Sequence, residues 1–221
     1  MSSARDAADH EASGSRRNQL VVVLATVILV VAVTLVIVAV TDGGGTLTPD
    51  GEQYRAVQVD GAPLVPFGGD TLGDPALGTI APVITGASFD GSPVVIGPGS
   101  PTLVVFLAHW CPVCQREVPV LVNWFNDGLV PDNLDVIAVT TSTDPSAPNF
   151  PPSTWLANEG WPAVWPIMAD SGANDAANAF GLNAFPFMTL LGSDGTVLWR
   201  HSGEIDGATL TVALTTALAG N

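Results

Sequence analysis

Leu20 to Val40 is an unbroken apolar run without a charge, and only Thr26 and Thr34 carry a polar group within it. At 1.5 Å rise per residue such a run is about 30 Å long as a helix, which matches the hydrocarbon core of a bilayer. The apolar core of a cleavable signal is shorter, roughly 7–15 residues, and ends at small residues. Ile37-Val38-Ala39-Val40 supplies no such site. The run therefore predicts one uncleaved transmembrane helix at 20–40. Arg16 and Arg17 precede it, whereas Asp42, Asp50 and Glu52 come before the first downstream base, Arg55. The positive-inside bias then puts a tail, 1–19, in the cytoplasm and residues 41–221 outside the cell membrane. Membrane lipid is an expected partner through this helix.

The formal net charge of −15 arises beyond the span. In the tail, Arg5, Arg16 and Arg17 balance Asp6, Asp9 and Glu11. Beyond it, only Arg55, Arg116 and Arg200 oppose the acids. A domain this acidic has no means of neutralising phosphates, which excludes nucleic acid as a partner. Cys111 and Cys114 are the only cysteines. An extracytoplasmic domain with this pair alone has none to spare for structural disulfides. Its stability must come from an ordinary apolar core, which about 140 residues can supply.

Residues 41–79 read as an extracytoplasmic linker rich in Gly, Pro and Asp. Gly43-Gly44-Gly45 is a tether, and 54–67 a small hairpin turning at Asp60-Gly61. From 80 to 221 the texture is globular. Strands are predicted at 83–89, 94–96, 103–107, 134–140, 164–168, 188–191 and 196–200. Helices are predicted at 112–126, at 174–180, at 207–219, and in a short stretch capped by Ser153 and ended by Gly160. Ser193-Asp194-Gly195 joins the last two strands as a hairpin. This order implies an α/β fold with a mixed sheet covered by helices on both faces.

The chemistry lies at Trp110-Cys111-Pro112-Val113-Cys114, between the apolar strand Leu103–Leu107 and the helix that follows. A Cys-x-x-Cys pair at a strand-to-helix junction can open and close a disulfide at little conformational cost. Cys111 falls at the first turn, where unpaired N–H groups and the helix dipole favour an anion. It is the expected attacking thiolate. Cys114, one turn deeper, resolves the mixed disulfide. Pro112 suits the first helical position, where its missing N–H costs nothing. A zinc site needs about four ligands. Beyond the pair only His109, His201 and scattered carboxylates are on offer, so no metal is assigned. The expected cofactor is none beyond the redox-active disulfide.

Residues 81–221 resemble the thioredoxin-like, membrane-tethered TlpA/ResA-type thiol-disulfide oxidoreductases. The resemblance is carried by Ala81-Pro82, Phe89-Asp90-Gly91, Val94-Val95-Ile96, His109-Trp110-Cys111-Pro112-Val113-Cys114, Pro119, Phe185-Pro186, Met188-Thr189-Leu190-Leu191, Asp194-Gly195 and Gly203. It implies a thioredoxin-like domain and a cis bond before Pro186. The backbone of Phe185 would then lie beside the dithiol to pair with a substrate strand. Trp110, Phe185 and Pro186 are the expected substrate-binding residues. Glu117, three residues after Cys114 on the same helical side, is implied as the proton partner of Cys114. Thioredoxin's buried aspartate is replaced here by Val105, which leaves Glu117 as the remaining carboxyl. His109 reads as an exposed, variable residue, and His201 as structural. Trp124, Trp155, Trp161, Trp165 and Trp199 read as packing.

The expected partners are extracytoplasmic thiol or disulfide proteins. By resemblance these include apocytochrome c before haem attachment, with a transmembrane electron donor if the protein is a reductant. Two alternatives share the motif: an oxidant that installs disulfides, and a copper-binding carrier using Cys111, Cys114 and a histidine. A peroxidase of the same fold would need Thr or Ser at Ala108 and Pro at Val104, and neither is present.

Overall fold

The structure is a computed structural model that describes residues 53–220. The expectations for the tail, the span at 20–40 and residues 41–52 lie outside the described residues. Among the described residues no helix is long and apolar enough to cross a membrane.

Among the described residues eight strands and four helices follow one another. They are β1 (Gln58–Asp60), β2 (Val83–Ala87), β3 (Pro93–Ile96), β4 (Thr102–Leu107), α1 (Pro112–Asn126), β5 (Asp135–Thr140), α2 (Pro152–Asn158), β6 (Ile167–Ala169), α3 (Asp175–Ala179), β7 (Phe187–Leu191), β8 (Val197–Ser202) and α4 (Gly207–Ala219). They form one mixed sheet in the order β1-β2-β6-β5-β4-β7-β8, with β3 paired to β2. β4 runs parallel to β5 and antiparallel to β7. Its six residues are all buried, as expected for a wholly apolar strand covered on both faces. Alternation along β4 feeds two cores. Leu103, Val105 and Leu107 pack with Leu121 and Trp124 of α1, Trp155 and Leu156 of α2, and Leu210 and Leu214 of α4. Val104 and Phe106 pack with Ile84, Met168 and Phe187, and with Ala176 and Ala179 of α3. The expected two-sided α/β sheet is what the chain forms. The five tryptophans assigned to packing are each 8% exposed or less.

Four local expectations change. The hairpin at 54–67 does not form, because β1 pairs antiparallel with β2 instead. Pro63 and Pro66, in what would be the second arm, have no N–H to give a ladder. The described part of the expected linker, 53–79, is packed into the domain: Leu64, Phe67 and Ala76 belong to the second core. Ser153 is not the cap of α2. Pro151 holds the cap position, and the Ser153 N–H donates to the Gln53 side-chain oxygen at 3.1 Å. A residue of the N-terminal segment thus satisfies that helix's free donor. The strand expected from Val164 starts only at Ile167, and Val164 is 71% exposed.

A buried ion pair fixes the segment in place. Arg200 of β8 and Asp74 are both fully buried and hydrogen-bonded through Nε and Nη2. Arg200 Nη1 also donates to the carbonyls of Val65 and Phe180. A charge of this kind is tolerated only when paired and fully bonded. Gly181 makes the close approach possible. It has φ +67, and a Cβ there would lie 2.4 Å from the Val65 carbonyl oxygen.

Candidate active site

β4 leads straight into the turn that carries the cysteines. Cys111 is the N-cap residue of α1, with extended backbone (φ −76°, ψ 119°), and Pro112 follows in the first turn. The Cys111 N–H donates to the Ala108 carbonyl at 3.0 Å, and its own carbonyl accepts the Gln115 N–H at 3.1 Å. Both thiols are free and buried. They are unequal: Cys111 keeps 7% of its surface, Cys114 none. Burial pushes the Cys114 thiol far above its ordinary range. A hydrogen bond to the Ala108 backbone offsets part of this, and the charges of Cys111 and Glu117 add to it. Pro119 lies inside α1 and withholds an N–H from the Gln115 carbonyl one turn earlier.

Glu117 faces inward, one turn past Cys114, and is fully buried. Its Oε2 accepts the Ile205 N–H at 3.2 Å, while Oε1 has no hydrogen-bond partner. Burial raises its pKa from 4.5 to about 7. The Ile205 bond opposes the rise, and the nearby charges of Glu204 and Asp206 support it. At neutral pH this carboxyl is poised between its two protonation states.

The aromatic residues expected at the site come together. Trp110 meets Phe185 edge-on, with ring centroids 5.9 Å apart and planes at 83°. The Phe185–Pro186 bond is cis, and the Pro186 carbonyl accepts the Gly203 N–H at 2.9 Å. A second cis bond, Phe150–Pro151, had no sequence signal beyond the proline itself. His109 departs from expectation: it is 1% exposed. Its Nδ1 lies 2.7 Å from the Pro148 carbonyl, and its Nε2 accepts the Asp144 N–H at 3.1 Å. Both ring nitrogens are thus spent on backbone groups, a pattern that requires the Nδ1–H tautomer. The imidazole pins the active-site turn to loop 141–151. His201 stacks on Trp199 with centroids 5.5 Å apart. Among the described residues no group of three or more His, Cys, Asp or Glu is arranged to hold a metal ion.

Two parts of the site had no signature in the sequence. Trp110 Nε1–H donates to the Ser142 carbonyl at 2.7 Å. Ser142 is itself held in left-handed backbone (φ 49°) by its N–H bond to Asn174 Oδ1 at 2.8 Å. The same oxygen accepts the Thr141 hydroxyl at 3.1 Å. A strut from the start of α3 therefore supports the tryptophan from behind. The second part is Arg116, which bonds Glu204 at 2.5 Å on the outer side of α1.

Comparison with known proteins agrees with this architecture. The Redoxin family profile matches residues 78–215, well over half of the chain and including both cysteines. Methylamine utilization protein MauD of Methylophilus methylotrophus is 27% identical over 128 residues, which are 56% of this chain and 54% of that protein. The chain spans about half the length of the curated relatives it matches. Among solved structures, a thiol:disulfide interchange protein from Chlorobium tepidum superposes with a TM-score of 0.52 at 22% identity, covering 64% of this chain and 97% of that one. StoA from Bacillus subtilis gives 0.50 at 18% identity, with 63% and 98% covered. These likenesses establish the thioredoxin fold. The chain belongs to the Redoxin family.

Proposed function

We propose that the chain is a thiol-disulfide oxidoreductase, anchored by the apolar run at 20–40, whose dithiol works outside the cell membrane and in the reducing direction. The observation that carries this reading is the inequality of the two sulfurs. Cys111 stands at the helix start and keeps 7% of its surface. Cys114 is sealed beneath it, with a buried carboxyl beside it.

The steps follow from that inequality. The Cys111 thiolate attacks one sulfur of a substrate disulfide. The substrate's S–S bond breaks, a mixed disulfide forms, and one substrate thiolate leaves. Cys114 then loses its proton to Glu117, whose Oε1 is unpartnered. Its thiolate attacks the Cys111 sulfur and expels the second substrate thiolate. The substrate gains two electrons and the protein retains the Cys111–Cys114 disulfide, which a transmembrane electron donor must reduce again. Trp110, Phe185 and Pro186 would receive the substrate chain as an added strand. Apocytochrome c thiols, oxidised before haem attachment, are one such substrate.

The test uses the full-length chain. Cys111→Ser abolishes reduction of a disulfide substrate. Cys114→Ser accumulates mixed disulfides with extracytoplasmic proteins. The wild-type dithiol has a potential near −270 mV or lower, the range of a reductant. Full activity in Cys111→Ser would remove the mechanism, and a potential near −120 mV would reverse its direction.

A further inference from the structure

Arg116 and Glu117 are neighbours on α1, and one short loop between β8 and α4 holds them both. The Glu204 carboxylate accepts Arg116 Nε–H at 2.5 Å, and the next residue, Ile205, donates its N–H to Glu117. Asp206 then caps α4 by accepting the Thr209 N–H at 3.0 Å, which fixes where the loop ends. Arg116 Nη1 also donates back to the Pro112 carbonyl at 3.2 Å. The guanidinium is therefore tied to the first turn of α1, beside Cys111. The other two arginines of the described residues are employed elsewhere: Arg200 is buried against Asp74, and Arg55 donates to the Phe89 carbonyl. Arg116 is the arginine bonded to the residue that follows Cys111. Glu204 and, to a lesser degree, Cys111 both favour its charged form.

We propose that Glu204 is a positioning residue that sets the redox poise of the dithiol: its carboxylate holds the Arg116 guanidinium beside Cys111 and offsets the guanidinium's charge there. This rests on the exchange reading above. A guanidinium has five N–H donors, and Glu204 and Pro112 occupy two of them. A thiolate at Cys111 gains from the cation; a disulfide carries no charge and gains nothing. The cation thus favours the dithiol, and Glu204 restrains it. Both side chains are about half exposed, so the effect is modest and screened by salt.

Opposite signs test the proposal. The full-length chain is equilibrated with glutathione, where each turnover passes two electrons and two protons from the dithiol to glutathione disulfide and leaves two glutathione thiols. Glu204→Gln shifts the equilibrium about threefold toward the dithiol. Arg116→Gln shifts it about threefold toward the disulfide. Threefold corresponds to about 14 mV at 29.6 mV per tenfold. The rate of Cys111 alkylation at pH 7 rises about threefold in the first variant and falls about threefold in the second. Both effects fade in 1 M salt, and Arg116→Lys stays near wild type. The other titratable groups near the pair (Cys114, Glu117, Asp206, His109 and Asp144) are unchanged in every variant. Shifts of the same sign, or none, would overturn the role of Glu204 while leaving exchange intact. A wild-type chain that forms no glutathione-reversible disulfide would remove both readings.

Discussion

Glu117→Gln isolates the cost of burying a carboxyl beneath the dithiol. The folded chain raises the Glu117 pKa from 4.5 to about 7, so the fold binds this proton more tightly than the unfolded chain does. A group of this sign contributes stability that is fully present below pH 4.5 and is lost as pH rises through about 7. The shift of about 2.5 units corresponds to about 3 kcal/mol, lost at about 1.4 kcal/mol per pH unit across that window. Glutamine keeps an oxygen for the Ile205 N–H and carries no proton to lose. Urea unfolding of both full-length chains from pH 4.5 to 8.5 checks this. The variant's advantage over wild type should grow by about 3 kcal/mol between pH 4.5 and 7.5, then level off. Glu204 and Asp206, the acids whose charges act on Glu117, are held below their ordinary range and titrate largely below this window. A difference that is the same at pH 5 and pH 8 would refute the buried, poised carboxyl. The same variant should slow the release of the second substrate thiolate by about 10²-fold, the usual worth of a positioned general base.

Asp74→Ala leaves Arg200 as an uncompensated buried charge and should cost about 3–5 kcal/mol by urea unfolding; a loss below 1 kcal/mol would mean that residues 53–79 are not integral to the domain. Asn174→Gly keeps the left-handed backbone cheap but removes the acceptor for Ser142 and Thr141. It should cost about 1–3 kcal/mol and lower kcat/KM for a disulfide substrate while leaving the reduction potential unchanged, because it moves Trp110 and not the sulfurs.

Most of the fold was legible because its strongest signals are local. An all-apolar strand, a Pro at the start of a helix and an Asp-Gly hairpin each state their conformation within a few residues. The ends of weak elements were less so. Val164 is apolar but follows Pro162 and stays in solvent, and Ser153 looks like a cap although Gln53 does that work from 100 positions away. Residues 53–79 read as a linker for a related reason, although Leu64, Phe67 and Ala76 are core. Their prolines and glycines resemble a tether, and nothing in residues 53–79 alone announces that Asp74 has a partner at Arg200.

The site divides along the same line. Cys111, Cys114, Glu117 and Trp110 lie within one turn and one helix, so their spacing alone is enough to propose their roles. Their control is not local. His109 looked exposed because its backbone partners, Pro148 and Asp144, sit in a loop more than 30 residues on. Trp110 is held through Ser142 by Asn174, and Glu117 and Arg116 through a loop 88 residues away. A Cys-x-x-Cys turn alone sets no potential. Here three segments distant in sequence fix how the turn, the Glu117 carboxyl and the Arg116 guanidinium are held, and an electrostatic field is sensitive to distances of a few ångströms. Relatives with the same turn but a different residue at Glu204 or Asn174 should therefore share the chemistry and differ in poise and in substrate.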